Sequence, residues 1–238
     1  MSKKLVIVGT GETAALAYEY FTHDSSYEVV AFAVEKAFLT EDSFCGLPVV
    51  AFEDVEKSYP PAEYEAFVAM AGGHLNRQRT RFYRETKAKG YKLASYVSSR
   101  AFVWHNVEIG DNCFIMEDNT LQPFTKVGDN VVMWSGNHLG HHSVVKDNCF
   151  ITSHVVVCGF CEIGENTYIG VNSSIANNIK IAADNFIAMG TVIGKNTEEN
   201  AIYKGNPAVK APIAAKKILS GKGVKNEVGK ERTDLLSG

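Results

Sequence analysis

The sequence predicts a small α/β domain, then an all-β domain of the parallel β-helix type, and last a short polar segment. Three observations support this order. Strand-like and helix-like runs alternate at the start of the chain, a six-residue repeat follows, and the final residues are mostly polar and charged. We place the domains at residues 1–93, 94–212 and 213–238, and we expect one short helix and a loose tail in the third.

The composition is that of a globular protein large enough to bury a sizeable core, because 45% of its 238 residues are hydrophobic and 21% are charged. A net charge of −3 argues against nucleic acid or an anionic membrane as a partner. No apolar run is long enough to span a membrane, and the run after the basic start is too short for a signal peptide. We therefore expect a cytoplasmic protein.

The first 93 residues show the alternation of a small Rossmann-like parallel sheet. The runs "KLVIVGTG", "YEVVAFAV" and "AFVAMAGG" are rich in β-formers, whereas "ETAALAYEYF" and "NRQRTRFYRETKAKG" have helical spacing. Gly9, Thr10 and Gly11 open the first helix, where backbone N–H groups can hold a phosphate. Tight strand-to-helix turns use glycine for their own geometry, so both interpretations of this loop stay open.

From residue 95 to 196 the chain reads as seventeen consecutive blocks of six residues. Every block has Val, Ile, Leu or Met in third place, and Gly, Ala and Asp-Asn pairs gather in the later places, as in "VEIGDN" and "TKVGDN". This period suits a short strand plus a turn, stacked so that one side chain per block enters a continuous core. Three blocks make a triangular coil of eighteen residues, which predicts a parallel β-helix of nearly six coils.

The repeat and the sequence after it resemble the hexapeptide-repeat acyltransferases. That superfamily closes with a Gly-Asn-Pro-Ala-Lys motif, which "GNPAVK" at residues 205–210 matches with one valine inserted. The preceding α/β domain makes the chain similar to the group of sialic-acid O-acetyltransferases and bacillosamine-pathway N-acetyltransferases. The resemblance implies a left-handed β-helix, a homotrimer with active sites between subunits, acetyl-CoA as co-substrate, and a sugar or nucleotide-sugar acceptor.

A histidine-rich segment, "WSGNHLGHHSVV", corresponds to the active-site segment of that family. Acyl transfer to an amine or hydroxyl needs a base for the acceptor's proton, and histidine suits that role. The resemblance puts His141 in the base position and His142 where the family has Asp or Glu as the orienting partner. A neutral imidazole at 142 can accept a hydrogen bond but offers no negative charge. Since both residues fall at turn positions of their block, two surface histidines remain the alternative.

The resemblance also implies which residues bind the two substrates. Coenzyme A is expected along a groove between neighbouring β-helices, and the acceptor's nucleotide in the α/β domain. The corresponding residues are Gly159, Val171 and Met189 for coenzyme A, and Gly9, Thr10, Gly11, Glu35, Gly72, Trp134, Asn137 and His138 for the acceptor. The sequence departs from the family's pattern at two places: Val34-Glu35 replace two aspartates, and Gly73 replaces Asn. These departures leave the identity of the nucleotide open.

A zinc site is an alternative use of the histidines, because the γ-class carbonic anhydrases share this architecture. His105 and His141 are thirty-six residues apart, which stacks them two coils apart. The next family ligand falls at Lys146, and an ammonium group is a poor zinc ligand. We expect no metal. Five cysteines include a CxxC at Cys158 and Cys161 without a second pair, and we expect the cysteines to be core residues.

Together these features predict an acetyl-CoA-dependent acyltransferase that N-acylates a nucleotide-linked amino sugar. His141 takes the acceptor's proton during direct attack on the thioester, since no cysteine lies beside a histidine in a recognisable nucleophile pattern. O-acetylation of a sugar is the alternative reaction. A γ-carbonic-anhydrase-like zinc hydratase and a β-helix that only binds its ligand are the remaining alternatives.

Overall fold

The structure, a computed structural model, describes residues 3–218 and begins with an α/β layer. Its elements are β1 (Lys3–Val8), α1 (Glu12–His23), β2 (Tyr27–Val34), β3 (Ser43–Phe44), β4 (Leu47–Ala51), α2 (Val55–Ser58), β5 (Tyr64–Val68) and α3 (Arg77–Ala88), with short 3-10 turns at Lys36–Phe38 and Phe52–Asp54. The strands lie in the order β3-β4-β2-β1-β5. All neighbouring strands are parallel except β3 and β4, which form an antiparallel hairpin at the edge.

The central strand β1 explains why this layer has helices on both sides. Residues 5–8 are at most 1% exposed. Ile7 packs with Phe21 of α1, whereas Val8 points to the opposite side and packs with Phe82 of α3. A parallel strand that is buried on both sides reads as a continuous apolar run, which is what the sequence has here. The predicted small α/β domain is confirmed.

The six-residue blocks form a β-helix whose two-residue strands fall on three parallel faces. The domain face, which lies against the α/β layer, holds β6 (Tyr96–Val97), β9 (Phe114–Ile115), β12 (Val132–Met133), β15 (Phe150–Ile151), β18 (Tyr168–Ile169) and β21 (Phe186–Ile187). The open face holds β7 (Phe102–Val103), β10 (Thr120–Leu121), β13 (His138–Leu139), β16 (Val156–Val157), β19 (Ser174–Ile175) and β22 (Val192–Ile193). The charged face holds β8 (Glu108–Ile109), β11 (Lys126–Val127), β14 (Val144–Val145), β17 (Glu162–Ile163) and β20 (Lys180–Ile181).

The third-place residues of the blocks form the core of this β-helix, as predicted. Strand register pairs residues that are eighteen apart, for example Leu121 with Leu139. The column from Ile115 to Ile193 is buried in one continuous cluster, against which Val97 is only partly buried at the start of the helix. Burying one such aliphatic side chain contributes about 1.5–3 kcal/mol, so the repeat itself supplies the stability of this domain.

Three corners join the faces, and each is a column of three-residue turns. The histidine corner, between the open and charged faces, holds residues 104–106, 122–124, 140–142, 158–160 and 176–178. The asparagine corner, between the charged and domain faces, holds residues 110–112, 128–130, 146–148, 164–166 and 182–184. The third corner, between the domain and open faces, holds residues 116–118, 134–136, 152–154, 170–172 and 188–190.

The last residue of each turn has a left-handed backbone. From Asn112 to Gly190 every sixth residue has a positive φ. Asn, Asp and Gly tolerate this conformation, and they occupy most of these positions. The exceptions are Phe124, His142, His154 and Phe160. Phenylalanine is a bulky side chain for a left-handed backbone, so the histidine corner departs most from the local rule.

The asparagine corner attaches the β-helix to the α/β layer. Inside it the side-chain amides of Asn112, Asn130 and Asn148 form a ladder, with N–H···O distances of 2.8 and 2.9 Å. The ladder continues into the α/β layer, because the Nδ2 of Asn76 donates to the carbonyl oxygen of Asn148 at 2.6 Å. Buried polar groups that are satisfied in this way fix one relative placement of the two parts.

Arg79 of α3 reinforces the same junction from a fully buried position. Its Nη1 donates to the carbonyl of Val68 at 2.5 Å, and its Nη2 donates to the carbonyl of Asn112 at 2.8 Å. Burial lowers the pKa of Arg79 to about 10. Because its partners are carbonyl groups, the guanidinium works here as a branched hydrogen-bond donor between β5 and the asparagine corner.

The β-helix ends in an antiparallel pair on the domain face, β23 (Ala201–Lys204) and β24 (Val209–Ala214), followed by α4 (Ala215–Ile218). The closing motif "GNPAVK" forms the connection between these strands. The predicted helix after residue 213 is therefore present as one short turn, and the predicted tail from 219 onward lies outside the described residues. Within residues 3–218 there is no helix with the length and apolarity that crossing a membrane requires.

Candidate active site

His141 lies in the histidine corner, exposed to solvent, in the turn that connects β13 to β14. Its backbone N–H donates to Oε1 of Gln122 on the coil before, at 2.9 Å. A Cβ atom placed on Gly159, one coil later, would lie only 2.8 Å from Cε1 and Nε2 of the His141 ring. The imidazole therefore lies directly against the backbone of residue 159, and only glycine leaves room for it.

His142 contacts the base candidate side by side, with 3.1 Å between the Nδ1 atoms of the two rings. At that distance one Nδ1 carries a proton and donates it to the other. When His141 is the donor, its Nε2 is the unprotonated nitrogen. Nε2 has no hydrogen-bond partner within residues 3–218. It can accept a proton from a substrate in the open part of the corner.

Two phenylalanines hold the ring of His142 from both sides. Its centroid is 4.6 Å from that of Phe124 and 4.8 Å from that of Phe160, with interplanar angles of 31° and 19°. Sequence reasoning missed this contact. The available signal was a Phe in sixth place of "NTLQPF" and "VVVCGF", eighteen residues to either side of His142, where other blocks end mostly in Asn, Asp or Gly.

Asn137 and His138 are both predicted to bind the acceptor, but they differ in how much of each side chain is exposed to solvent. His138 is half-buried on the open face, between Thr120 and Val156 of the neighbouring coils. Asn137 is 2% exposed. Its Nδ2 donates to the carbonyl of Trp134, and its Oδ1 accepts from the N–H of Val155 at 2.7 Å. The amide of Asn137 is therefore already used to close the turn, and its assignment to the acceptor stays a prediction.

The α/β layer brings together most of the predicted nucleotide-binding residues. Gly9, Thr10, Gly11 and Glu35 line one pocket of about 510 Å³ at the carboxyl ends of β1, β2 and β5, where ligands of such sheets bind. The first turn of α1 has no side-chain cap. The N–H of Ala14 donates to the carbonyl of Gly11 at 2.9 Å, whereas the N–H groups of Glu12 and Thr13, two residues that line the pocket, have no hydrogen-bond partner among the described residues. A Cβ atom at Gly9 would lie 2.7 Å from the carbonyl oxygen of Ala69, which is why this position needs glycine.

Glu35 is paired within the protein. Arg81 of α3 binds it with two hydrogen bonds of 3.0 Å each, and this contact raises the pKa of Arg81. The carboxylate keeps accepting capacity on its other lone pairs. Arg81 was not singled out by the sequence, because it is one of several charged residues in the same helix. The ion pair fixes the carboxylate of Glu35 at the pocket.

Gly72 and Trp134 line a second, mostly apolar pocket of about 440 Å³ between the α/β layer and the domain face. Stacked rings form its wall, since Phe150, Tyr168 and Phe186 follow one another at 5.5 and 5.0 Å with interplanar angles of 6°. The indole Nε1 of Trp134 is buried without a hydrogen-bond partner among the described residues. Residues 71 and 73 border both pockets, so the two cavities are adjacent.

The residues predicted to bind coenzyme A lie on two different corners. Gly159 belongs to the histidine corner, where its N–H donates to Oδ1 of Asn177 at 2.9 Å. Val171 and Met189 belong to the third corner, and Met189 is 76% exposed. One chain does not bring these three residues together. A single groove that contains all of them requires a second copy of the β-helix.

The histidines do not assemble a metal cluster within the described residues, where no group of three or more His, Cys, Asp or Glu side chains could hold an ion. His105 does lie in the histidine corner, two coils before His141, as its spacing predicts. Lys146 lies on the asparagine corner and pairs with Glu162 at 2.8 Å.

The cysteines follow the core prediction only in part. Cys113, Cys149 and Cys161 are buried inside the coils, whereas Cys158 is half-buried and Cys45 is exposed. Burial raises the pKa of the Cys113 and Cys149 thiols to about 12. Protonated, enclosed thiols are weak nucleophiles, so the buried cysteines act as packing residues.

Residues 106–141 and 160–195 match the model of the bacterial transferase hexapeptide family (six repeats). The acetyltransferase domain of PglB from Neisseria gonorrhoeae, solved with acetyl coenzyme A, is 23% identical over 89% of this chain and 100% of its own, with a TM-score of 0.80. A perosamine N-acetyltransferase from Caulobacter crescentus, solved as a variant with CoA and GDP-perosamine, is 20% identical over 88% and 97%, with a TM-score of 0.79.

These likenesses confirm the predicted fold, an α/β domain followed by a left-handed parallel β-helix. The two matched segments lie in the β-helix and are separated by residues 142–159. Residues 106–141 and 160–195 thus carry repeats similar to those of the bacterial transferase hexapeptide family, and the chain has the fold of these acetyltransferase structures.

Proposed function

We propose that the protein is an acetyl-CoA-dependent acyltransferase of the cytoplasm that N-acylates a nucleotide-linked amino sugar. One observation carries the proposal. On a transferase-type β-helix, the exposed His141 is held by a neighbouring imidazole and a glycine contact, and its Nε2 has no hydrogen-bond partner among residues 3–218. The structural neighbours that bind acetyl coenzyme A or CoA with GDP-perosamine support this choice of substrates.

The reaction follows from the position of Nε2. As the amine nitrogen of the sugar bonds to the carbonyl carbon of the thioester, His141 Nε2 takes one proton from that nitrogen. The carbon–sulfur bond then breaks, and the sulfur leaves with the proton from the imidazolium as the CoA thiol. The amide product and the free thiol account for all atoms, and no covalent acyl-enzyme is needed.

The groove for acetyl-CoA is completed by a second copy of the chain. Of the three faces, the domain face is covered by the α/β layer, and the charged face carries ion pairs such as Lys126–Glu108. The open face instead exposes Phe102, Val156 and Val192. Apolar side chains collected on one face favour self-association. A homotrimer packed through this face sets the histidine corner of one copy beside the third corner of the next.

The acceptor occupies the two adjacent pockets of the α/β layer. Its diphosphate binds at Gly9–Gly11, where the uncapped turn of α1 favours an anion. Glu35, with Arg81, faces the nucleoside part. The sugar extends past residues 71–73 toward the aromatic pocket, where the unpaired indole N–H of Trp134 can donate to a ring substituent.

Thiol release from acetyl-CoA tests this function directly. The acceptors are UDP-, dTDP- and GDP-linked amino-deoxy sugars, each beside the matched sugar with a hydroxyl in place of the amine. Turnover with an amino sugar and none with its hydroxyl counterpart is expected. Turnover confined to hydroxyl sugars means O-acylation, and no turnover with any acceptor refutes the proposal.

His141→Asn tests the base and should lower kcat by about 10²–10⁴-fold, with the assembly size and CoA binding unchanged. His105→Asn is the matched control, because it removes a histidine from the same corner two coils away. Its turnover should equal that of the unmodified protein. Equal loss in both variants would contradict the single-base mechanism and favour a site that needs both histidines.

A further inference from the structure

Three consecutive coils of the histidine corner end in ring-bearing residues where the rest of the β-helix has mostly Asn, Asp or Gly. Phe124, His142 and Phe160 all have a positive φ, between 58° and 65°. A phenylalanine in this conformation is an outlier, and such residues persist where surrounding structure compensates for them. Disfavoured conformations of this kind cluster at functional sites. Both phenylalanine rings stack on the same ring, the imidazole of His142.

The stack restricts the imidazole of His142 to one plane. Phe160 lies nearly parallel to it at 4.8 Å, and the same Phe160 ring is perpendicular to His141 at 4.9 Å. The backbone is tied as well, since the N–H of His142 donates to the carbonyl of Pro123 at 3.2 Å. A ring held in this way keeps its Nδ1 directed at the Nδ1 of His141, 3.1 Å away.

The surroundings of the pair hold no compensating charge. The groups that pack on it are the amide of Gln122, which accepts the His141 backbone N–H, the two phenyl rings and the backbone of Gly159. Neither imidazole forms an ion pair with any residue between 3 and 218. The charge state of the site is therefore set by the two histidines themselves.

Building on the proposed function, we propose that His142 is a positioning residue whose neutral Nδ1, clamped between Phe124 and Phe160, accepts the Nδ1–H of His141. This contact fixes the tautomer in which His141 Nε2 is the base. It does the orienting work of a carboxylate without a negative charge. The imidazolium formed in the reaction therefore stays less stabilised than beside a carboxylate, and it releases its proton readily to the leaving thiolate.

Changing the charge of residue 142 tests the proposal through the pH dependence of kcat/KM. In His142→Glu an anion beside His141 favours the protonated base, so the midpoint of the acid limb of kcat/KM should rise by about one pH unit. His142→Gln supplies a neutral acceptor and should retain at least a third of kcat, with the midpoint unchanged. His142→Leu removes the acceptor and should lower kcat at least tenfold with little change in KM. A residue that only supported the fold would give His142→Gln and His142→Leu the same kcat.

The clamp is tested by a double-mutant cycle with Phe160→Asn. Asparagine suits the left-handed backbone, so this variant should fold at least as well, yet it frees the His142 ring and should lower kcat several-fold. In the His142→Glu background the same change should matter less, because a carboxylate needs no aromatic clamp. Equal effects in both backgrounds would overturn the clamp. A midpoint that does not move in His142→Glu, or full turnover in His142→Leu, would overturn the proposal.

A measurement without turnover separates this inference from the proposed function. Nitrogen-15 NMR of the full chain labelled at its seven histidines reports the protonation of each ring nitrogen. At neutral pH, His141 should have a protonated Nδ1 and His142 an unprotonated Nδ1, and the first assignment should be lost in His142→Leu. His23→Gln, remote on α1, identifies one control resonance. An unprotonated Nδ1 on His141 refutes the inference whether or not any acceptor is turned over.

Discussion

The histidine corner and the asparagine corner are built on the same coil but have opposite contents. At the asparagine corner, the last residue of the turn suits its left-handed backbone, and the amides of Asn112, Asn130 and Asn148 satisfy one another in the interior. At the histidine corner the same position carries exposed aromatic rings. Phe124 and Phe160 are 56% and 55% exposed. The first corner attaches two domains, and the second is the proposed catalytic edge.

The difference shows how a repeat can separate residues that stabilise the fold from residues that serve the proposed function. Where the side chain agrees with the backbone that the coil imposes, the residue contributes to the fold. Where it disagrees and remains exposed, the fold gains nothing from it. The four exceptions to the Asn, Asp and Gly rule therefore indicate where function was placed, and three of them form the one stack around His142.

Two glycine substitutions give the largest contrast between the corners. A Cβ atom at Gly164 would lie 2.6 Å from backbone atoms of Ala182 and Ala183, whereas one at Gly159 would collide with the His141 ring. Gly164→Ala must displace a coil and should cost about 3 kcal/mol of stability. Gly159→Ala displaces only a side chain. It should leave the melting temperature nearly unchanged and lower kcat by about 10²-fold.

The contrast fails if both alanine variants lose stability alike. It is sharpened by the kinetic constants of Gly159→Ala, because the same glycine was predicted to lie beside coenzyme A. A raised KM for acetyl-CoA with unchanged kcat would place Gly159 at the cofactor alone. A lowered kcat with unchanged KM would assign it to holding the base.

Arg79→Met tests the asparagine corner from the side of the α/β layer. The variant leaves the carbonyls of Val68 and Asn112 without their buried donor, and it should cost about 2 kcal/mol. Arg84→Met on the exposed side of the same helix is the control and should stay within about 0.5 kcal/mol. Chemical unfolding at fixed protein concentration measures both. Equal stability of the two variants would mean that the buried guanidinium is dispensable.

Sequence reasoning reached the β-helix almost completely because the repeat records one core side chain per block. Ile115, Leu139 and Ile175 could each be assigned to the interior without a structure, since a period of six has few other physical solutions. The short hairpin of β3 and β4 was missed. A two-residue edge strand and the five-residue strand beside it carry too few alternating positions to stand out from a loop.

The site was predictable only as far as a family pattern extends. His141 and the glycine loop could be proposed as site residues because their patterns are local in the sequence. The hydrogen bonds of Asn137 inside the coil could not be predicted, because a spacing does not say whether an amide points inward. Arg81 and the aromatic wall at Tyr168 depend on contacts between distant segments, which the linear pattern does not contain.

Acid titration sharpens the comparison at Asp24, which forms one of several polar links between the α/β layer and the β-helix. Asp24 at the end of α1 accepts hydrogen bonds from Ser99 and Tyr96 of the first coil, and these lower its pKa to about 2. A carboxyl whose pKa is lowered by folding stabilises the fold above its unfolded pKa, and that contribution is lost as pH falls toward 2. The amide ladder of the asparagine corner does not titrate. Acid should therefore weaken the Asp24 contact and leave the amide ladder intact.

Asp24→Asn should thus cost about 1 kcal/mol at pH 7, after allowance for its partial exposure. The gap to the unmodified protein should close between about pH 4 and pH 2, as the native carboxyl is protonated. Thermal melts across that range measure it. A constant gap at every pH would show that the oxygen atoms matter and the charge does not.

The smallest effect is expected at Phe124, and it would separate the two corners most finely. Phe124→Asn installs the residue that the left-handed turn prefers and should raise stability by about 0.5 kcal/mol, since the exposed ring contributes little burial. Turnover should fall because the His142 ring loses one side of its stack. Melting temperature and kcat measured on the same sample test both expectations, a higher stability and a lower turnover. A destabilised variant would mean that Phe124 packs against another copy of the chain, and the aromatic column would then belong to assembly.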